Sequence, residues 1–280
     1  MNTIDLNGNW MLQFGPQTEA ASKMGDPEIP EEWTKLTAMV PGNVELDLMD
    51  AGMLPKDLEM GSNIYELRKF ETYQWWYSRT FQFEEVAESG AWELVMDGVD
   101  TLATIWVNGA KVASLANMFI PHRLEVAKYL RKGENHVVIG FDSVVLAAAE
   151  KDIEPGTWAM ENNWESLSIR KAAHGFGWDI SPRVMSVGLW KSIRLENPAP
   201  ERFRSVYIST LRTDPAERTA TFAACWDIEA TGWPIDDSTV SLQVVGASSG
   251  NLLFEIFFPV LSFHGQAICE LENVDLWWPR

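Results

Sequence analysis

The stretch WELVMDGVDTLATIWVNG, residues 92–109, determines the class of fold. Apolar residues recur in it with a period of two, the spacing that places side chains on one face of a β-strand. These residues are Trp92, Leu94 and Met96, followed by Ala103, Ile105 and Val107. The second run ends at Asn108-Gly109, a strong type I′ hairpin signal. The intervening Asp97-Gly98-Val99-Asp100 predicts a tight connection, so the stretch as a whole predicts antiparallel β structure.

The same pattern continues on both sides of this stretch. Val137, Ile139 and Phe141 alternate after a turn, and LWKSIRL, residues 189–195, predicts a further strand. Sustained helical periodicity is scarce. Residues 43–52 form the exception, because Asn43 is a good N-cap and Gly52 a good C′ residue for one short helix. The sequence therefore predicts an all-β fold with little helix.

A domain boundary is expected at ENPAPE, residues 196–201, because two prolines in six residues cannot continue a central strand. Beyond it, alternation resumes in four or five runs, which predicts an immunoglobulin-like β-sandwich. The predicted domains are residues 1–197 and 198–280. The second is expected to be incomplete, since a seven-strand sandwich requires further strands after the terminal LWWPR.

Composition restricts the classes of partner. The chain has 40 acidic and 22 basic residues and a net charge of −18. This balance argues against nucleic acid and anionic membranes, which bind positive patches, and suits a neutral glycan. No apolar run approaches the ~20 residues of a membrane span. The first residues lack the pattern of a signal peptide, so a cytoplasmic location is expected. Cys225 and Cys269 are expected to be thiols rather than a disulfide.

Candidate binding chemistry is concentrated in RKAAHGFGWDISPRVMSVGLW, residues 170–190. Trp178 can cover the apolar face of a pyranose ring, and Asp179 can accept hydrogen bonds from two neighbouring hydroxyls. Such charge-assisted bonds are roughly twice as strong as neutral ones. The alternative is that Trp178 lies in a core and Asp179 caps a turn. The four histidines are scattered without metal-ligand spacing, so no metal is expected. Neither G-x-x-x-x-G-K-[ST] nor G-x-G-x-x-G occurs, so no nucleotide cofactor is expected either.

Seven stretches, in order along the chain, resemble the N-terminal region of glycoside hydrolase family 2 enzymes, most closely the β-mannosidases. They are LNGNW, VPGNVELDLMDAG, NIYELRKFETYQWWYSRTF, MDGVDTLATIWVNGAKVASLANMF, GENHVVIGFDS, RKAAHGFGWDISPRVMSVGLWKSI and LWWPR. The resemblance implies a jelly-roll, galactose-binding-like β-sandwich followed by an immunoglobulin-like β-sandwich. In such enzymes a third domain, a (β/α)₈ barrel, carries the catalytic carboxylates.

The resemblance also implies site residues. Trp178 and Asp179 would reach into the barrel's pocket and bind the terminal sugar. The family's usual tract is FGWDWGP, whereas this chain has FGWDISP, with Ile180 and Ser181 in place of Trp and Gly. The loop holding Asn63 and Tyr65 would border the same pocket, and His174 is a further candidate pocket residue.

Other conspicuous residues favour structural roles. The Trp75-Trp76-Tyr77 cluster predicts core packing rather than a sugar platform, and Asn117-Met118-Phe119 is expected to support the end of the sandwich that carries the site.

The catalytic part of such an enzyme is missing from this sequence. In the family, the acid/base Glu follows an Asn, but no Asn-Glu dipeptide occurs here, nor do the strand–helix repeats of a barrel. The 280-residue chain is therefore expected to be inactive alone and to be part of a retaining exo-β-mannosidase that removes terminal β-mannose.

Two further hypotheses remain open, together with other substrates. The chain could be a stand-alone carbohydrate-binding module, or a structural domain with Trp178 buried. It could also belong to a β-galactosidase, β-glucuronidase or exo-glucosaminidase. Self-association through the incomplete second sandwich is expected, because unpaired strand edges and apolar faces associate.

Overall fold

The structure is a computed structural model that describes residues 2–17, 29–84, 91–159, 163–230, 238–247 and 250–274. It divides into two compact units, Met1–Pro198 and Ala199–Arg280, one residue from the expected boundary. Secondary structure is dominated by strands, so the all-β prediction is confirmed. The described part of the chain contains no helix long and apolar enough to span a membrane. The terminal LWWPR tract lies outside the described residues.

The first unit is a sandwich of two antiparallel sheets. Its described strands are β1 (Asn2–Asp5), β2 (Gly8–Pro16), β3 (Thr34–Val40), β4 (Tyr73–Phe83), β5 (Glu93–Met96), β6 (Leu102–Val107), β7 (Ala110–Ala116), β8 (His122–Glu125), β9 (Gly133–Phe141) and β10 (Ile193–Asn197). One sheet has the order β3-β2-β4-β9-β6-β7, and the other has the order β1-β10-β5-β8. Because the chain passes repeatedly from one sheet to the other, residues distant in sequence meet at the ends of the sandwich.

The core lies between the two sheets and is built by the predicted alternation. The apolar residues identified on β5, β6 and β9 all belong to it: Leu94, Met96, Ala103, Ile105, Val107, Val137, Ile139 and Phe141. The predicted core cluster is also confirmed, since Trp75, Trp76 and Tyr77 are each less than 5% exposed. Trp76 packs with Trp106 on the outer face of the larger sheet, their ring centroids 5.2 Å apart. Gly140 leaves room there, because a Cβ would lie 2.8 Å from the Trp76 ring.

The turn and cap predictions are confirmed as well. Asn108 and Gly109 both have positive φ, +51° and +83°, and join β6 to β7. Helix α1 (Val44–Asp50) begins at Asn43, whose side chain accepts a hydrogen bond from the Leu46 amide. Gly52 follows the helix with φ +71°. A second short helix, α2 (Val144–Ala149), is capped in the same way by Ser143.

Two boundary predictions were wrong. The strand predicted over residues 189–195 begins only at Ile193. Before that point the chain bonds to loops, as when the Gly42 amide donates to the Leu189 carbonyl. The linker is also shorter than the predicted ENPAPE, because Glu196 and Asn197 belong to β10 and pair with β1, and Glu201 begins the next strand.

The second unit contains five described strands: β11 (Glu201–Asp214), β12 (Thr219–Ala230), β13 (Thr239–Val245), β14 (Leu252–Pro259) and β15 (His264–Leu271). They form one sheet of order β11-β12-β15 and one β13-β14 pair. Phe222, Trp226 and Val240 belong to the small core that both sheets share.

Both cysteines lie in this unit, and both are free, as predicted. Phe222 is the strand partner of Cys269, and Phe222 is three residues from Cys225. An odd spacing places side chains on opposite faces of a strand, so the two sulfurs cannot pair across this register.

Candidate functional site

The predicted site lies on a closed loop, residues 175–184, which we call the tryptophan loop. The Val184 amide donates to the Gly175 carbonyl at 2.9 Å and closes its base. The Trp178 amide donates to the Ser181 carbonyl at 3.0 Å and tightens its tip. Gly177 has φ +100°, a conformation that side chains with a Cβ rarely adopt. These contacts give the tip a defined shape.

The tip presents the predicted pair to solvent. Trp178 is 54% exposed, Asp179 is exposed, and Ile180 is 92% exposed. The alternative in which Trp178 is a core residue is therefore wrong. An exposed indole beside an exposed carboxylate can stack on a sugar face and accept hydrogen bonds from its hydroxyls. Ile180, where the related tract has a second Trp, adds an apolar tip.

Arg183 anchors the loop from inside the protein. Its side chain is 9% exposed. Its Nε and Nη2 donate to the two carboxylate oxygens of Glu71, both at 3.0 Å, and Nη2 also donates to Glu165 Oε1 at 2.7 Å. Burial alone would lower the pKa of Arg183, but the hydrogen bonds to Glu71 and Glu165 outweigh it, so the pKa is raised and the charge is retained. Arg183 was not identified from the sequence, because its partners lie up to 112 residues away.

The other candidate residues occupy neighbouring positions. Asn63 begins the 3-10 helix Asn63–Phe70. Its side-chain amide donates to the Asp57 carbonyl at 3.0 Å and so closes the turn that leads into this helix. Tyr65, on the same helix, is 65% exposed. Glu71, the partner of Arg183, directly follows this helix. We call the 3-10 helix Asn63–Phe70 the Tyr65 helix. The Arg183–Glu71 ion pair therefore joins the tryptophan loop to the end of the Tyr65 helix.

His174 lies beside an apolar cleft of about 660 Å³ rather than at the loop tip. Phe119, Pro182 and Trp190 are among its lining residues. The cleft also reaches Lys171, whose buried amine donates to Asp100 at 2.5 Å and to the Ser186 carbonyl at 2.7 Å. Lys171 and Asp100 thus form a buried ion pair, in which each charge compensates the other and lowers the cost of its burial.

The predicted support from residues 117–119 is present. The Met118 amide donates to the Arg170 carbonyl at 3.1 Å, and Met118 Sδ accepts from the Ala172 amide at 3.0 Å. These contacts hold the chain that leads into the tryptophan loop.

Among the residues that the structure describes, two other tryptophans are exposed, Trp158 and Trp190, and neither was predicted from the sequence. Trp158 is 81% exposed in the segment that leads to Asn163, and the Asn163 side chain donates to the Gly177 carbonyl at 3.2 Å. The sequence feature that indicates an exposed Trp158 is its position as a single Trp in the polar, Pro- and Gly-containing run EPGTWAMENN. Trp190 is 40% exposed, but Lys191 covers its ring at 4.3 Å and Gly98 packs closely against it. Trp158 is therefore the better additional platform for a sugar.

Two buried carboxylates lie in α1, next to Asn43, which lines the cleft. Burial raises the pKa of Glu45, and burial raises the pKa of Asp47 to about 6, against the hydrogen bond from the Met39 amide. No group of three or more His, Cys, Asp or Glu that could hold a metal ion occurs in the described part of the chain.

Residues 12–191 match the family described as "Glycosyl hydrolase 2 galactose-binding domain-like". The match includes Asn63, Tyr65, His174, Trp178 and Asp179.

Named relatives extend the comparison. The chain is 31% identical over 279 residues to "Beta-mannosidase B" of Aspergillus clavatus, covering 96% of this chain and 32% of that protein. It is 36% identical over 196 residues to the protein of the same name from Thermothelomyces thermophilus, covering 69% of this chain and 21% of that protein. The chain thus spans about a third or less of the length of these relatives.

A solved structure is also similar to this chain over its full length. The crystal structure of β-D-mannosidase from Dictyoglomus thermophilum matches with a TM-score of 0.73 and 25% identity, covering 100% of this chain and 32% of that one.

Proposed function

This chain belongs to the glycosyl hydrolase 2 galactose-binding-like domain family, and from that membership we propose that it is the non-catalytic, substrate-binding part of a retaining exo-β-glycosidase. The substrate that we propose is a terminal β-mannoside, because the relatives that cover most of this chain are named β-mannosidases. We further propose a cytoplasmic location. The observation that carries the proposal is the exposed Trp178–Asp179 pair on a loop held by buried anchors.

The proposed role is to bind the non-reducing sugar, with the reacting carboxylates supplied from outside this chain. Retaining hydrolysis requires an acid/base and a nucleophile about 5–5.5 Å apart. Trp178 would cover the apolar face of the sugar, and Asp179 would accept hydrogen bonds from its hydroxyls. Tyr65 would border the same sugar, while Asn63 would shape the segment that carries Tyr65. His174 would contribute from the cleft side of the loop.

The test is the hydrolysis of an aryl β-mannoside by a catalytically complete chain that contains this segment. Asp179→Asn should lower kcat/KM by about 10²–10³-fold, the scale of losing one transition-state hydrogen-bond partner, or about 2.7–4 kcal/mol. The 280-residue chain alone should release no product. Asp152→Asn, at an exposed loop carboxylate, is the matched control and should have no effect.

Two results would contradict the proposal. One is unchanged kinetics in Asp179→Asn, which would remove this carboxylate from the site. The other is hydrolysis by the 280-residue chain alone. A saturation-transfer NMR titration of the 280-residue chain with β-mannobiose adds a third test. Binding that is lost in Asp179→Asn would favour the stand-alone binding module instead.

A further inference from the structure

Arg183 occupies an unusual position for a charged residue. It lies in the tryptophan loop, five residues after the exposed Trp178, yet its side chain is 9% exposed. A charge in such a place is costly unless it is paired and hydrogen-bonded. The structure supplies that pairing from two other segments of the chain.

The pairing with Glu71 is bidentate. Two guanidinium nitrogens of Arg183 face the two oxygens of Glu71, each at 3.0 Å, and this geometry fixes direction as well as distance. Glu71 is itself held, because its backbone carbonyl accepts the Ser143 hydroxyl at 2.5 Å. An Arg–carboxylate fork of this kind cannot be reproduced by Lys, which presents a compact point charge.

Two further contacts fix Arg183 to its own surroundings. Nη2 donates to Glu165, in the 3-10 helix Trp164–Leu167, at 2.7 Å. Nη1 donates to the Phe176 carbonyl at 3.3 Å. Phe176 lies just before Gly177 and Trp178. Arg183 also packs on Gly177, where an added Cβ would lie 3.4 Å from the Arg183 Cβ. The side chain therefore spans the tryptophan loop from its end to the backbone that precedes Trp178.

We infer that Arg183 is a positioning residue, which holds the tryptophan loop and the Tyr65 helix in one fixed arrangement so that both contact the same sugar. Glu71 ends the Tyr65 helix, so a rigid Arg183–Glu71 fork fixes Tyr65 relative to Trp178 and Asp179. A buried ion pair contributes little net stability compared with well-packed apolar residues, which favours a geometric role. The role in sugar binding rests on the proposed function; the coupling of the two segments does not.

The coupling is tested by amide hydrogen exchange on the 280-residue chain, comparing wild type with Arg183→Lys and Arg183→Gln. Local opening of the two segments should become more frequent when the fork is lost. We expect exchange at Trp178 and Val184 and at Tyr65 and Glu71 to accelerate together, by at least about tenfold. Lys should restore part of the protection, and the strand amides of β4 and β9 should be unchanged.

The matched control is Arg194→Lys, since Arg194 is also paired with two carboxylates, Asp97 and Glu196. It should leave both segments unchanged. If Arg183→Gln fails to fold, Glu71→Gln keeps the size of the side chain but leaves only one acceptor for the two guanidinium N–H groups, so it should give the same paired acceleration. Arg68→Gln controls for the second ion pair of Glu71, which joins Arg68 Nη1 to Glu71 Oε1 at 3.3 Å. Acceleration in the tryptophan loop without the Tyr65 helix, or in neither segment, would overturn the inference.

The effect on the sugar is tested in the catalytically complete chain. A displacement of about 1 Å at an active site can cost about 100-fold, so Arg183→Lys should lower kcat/KM by up to that factor. If Arg183 acts through Asp179, the double variant Arg183→Lys/Asp179→Asn should lose less than the product of the two single losses. Fully multiplicative losses would show that Arg183 acts elsewhere.

The two failures are distinguishable. If Asp179→Asn leaves hydrolysis unchanged, the proposed function fails, whatever the exchange data show. If Asp179→Asn impairs hydrolysis but exchange at the two segments is independent, only the positioning role of Arg183 fails.

Discussion

Gly177 and Arg183 together account for the exposure of Trp178. Gly177 has φ +100°, so the chain turns sharply just before the indole. Arg183 packs on that glycine and binds the Phe176 carbonyl, which keeps the turn in place. A residue with a Cβ at position 177 would be strained by the backbone conformation alone. The exposed binding pair thus depends on two residues that would not themselves touch a sugar.

Asp47 shows a different residue-scale effect, a buried carboxyl that makes stability depend on pH. Its pKa is raised from 3.8 to about 6 by burial. Between these values the native state binds more protons than the unfolded state. The free energy of unfolding therefore falls as pH rises from about 4 to about 6.

Asp47→Asn should remove this part of the pH dependence. Asn cannot ionise, and its side-chain oxygen can still accept from the Met39 amide, which now donates to Asp47 at 2.9 Å. In urea unfolding, the free energy of unfolding should fall less between about pH 4 and about pH 7 in the variant than in wild type. Asp152→Asn, at an exposed position, controls for the loss of one charge. An equal pH difference in Asp47→Asn and wild type would refute the prediction.

At the scale of elements, α1 is a seven-residue helix whose sequence signals agree with its ends. So short a helix is not stable in isolation, and it depends on packing and capping. Val44 and Leu48 bury its apolar side in the main core. The Asn43 side chain satisfies the Leu46 amide at 3.1 Å, one of the donors that a helix start leaves without a backbone partner.

Asn43→Ala should therefore destabilise the first unit by about 1 kcal/mol, the usual cost of a lost N-cap. Chemical denaturation near neutral pH measures the change. Asn43→Ser is the matched control, because Ser also caps well, and it should retain most of the stability. Equal losses in Ala and Ser would assign the role of Asn43 to packing at the cleft instead of capping.

At the scale of the molecule, the two units differ in how well they cover their apolar residues. The first unit encloses a large continuous core. In the second, the long strand β11 lies at the edge of its sheet in the described part of the chain, and Val206, Tyr207 and Ile208 on it are each more than half exposed. An exposed, apolar edge strand is a template for pairing with another chain.

We expect the 280-residue chain to self-associate through this strand. Sedimentation velocity at several protein concentrations should show a concentration-dependent shift to larger species. Val206→Lys/Ile208→Lys should reverse it, because charges on an edge strand oppose pairing. Ile153→Lys/Met60→Lys, at exposed apolar sites of the first unit, is the control. A concentration-independent monomer in wild type would disprove the expectation.

The class of fold and much of its local detail follow from short stretches of the amino-acid sequence. Period-two alternation identified the core faces of β5, β6 and β9, Asn108-Gly109 identified a hairpin, and Asn43 identified the start of α1. These features depend on neighbours within a few residues, so their physical cause is present in a short stretch of chain. The Trp178–Asp179 pair was found for the same reason, since both residues lie in one tract.

The accessibility of each tryptophan, and the contacts that hold it, depend instead on the folded chain. Trp75 and Trp178 are the same residue type, but one is 2% exposed and the other 54%. The difference arises from packing against sheets and loops that are remote in sequence. The buried position of Arg183 depends on its pairing with Glu71, which lies 112 residues earlier. Ion-pair geometry of this kind depends on the path of the whole chain, and no local pattern of residues encodes it.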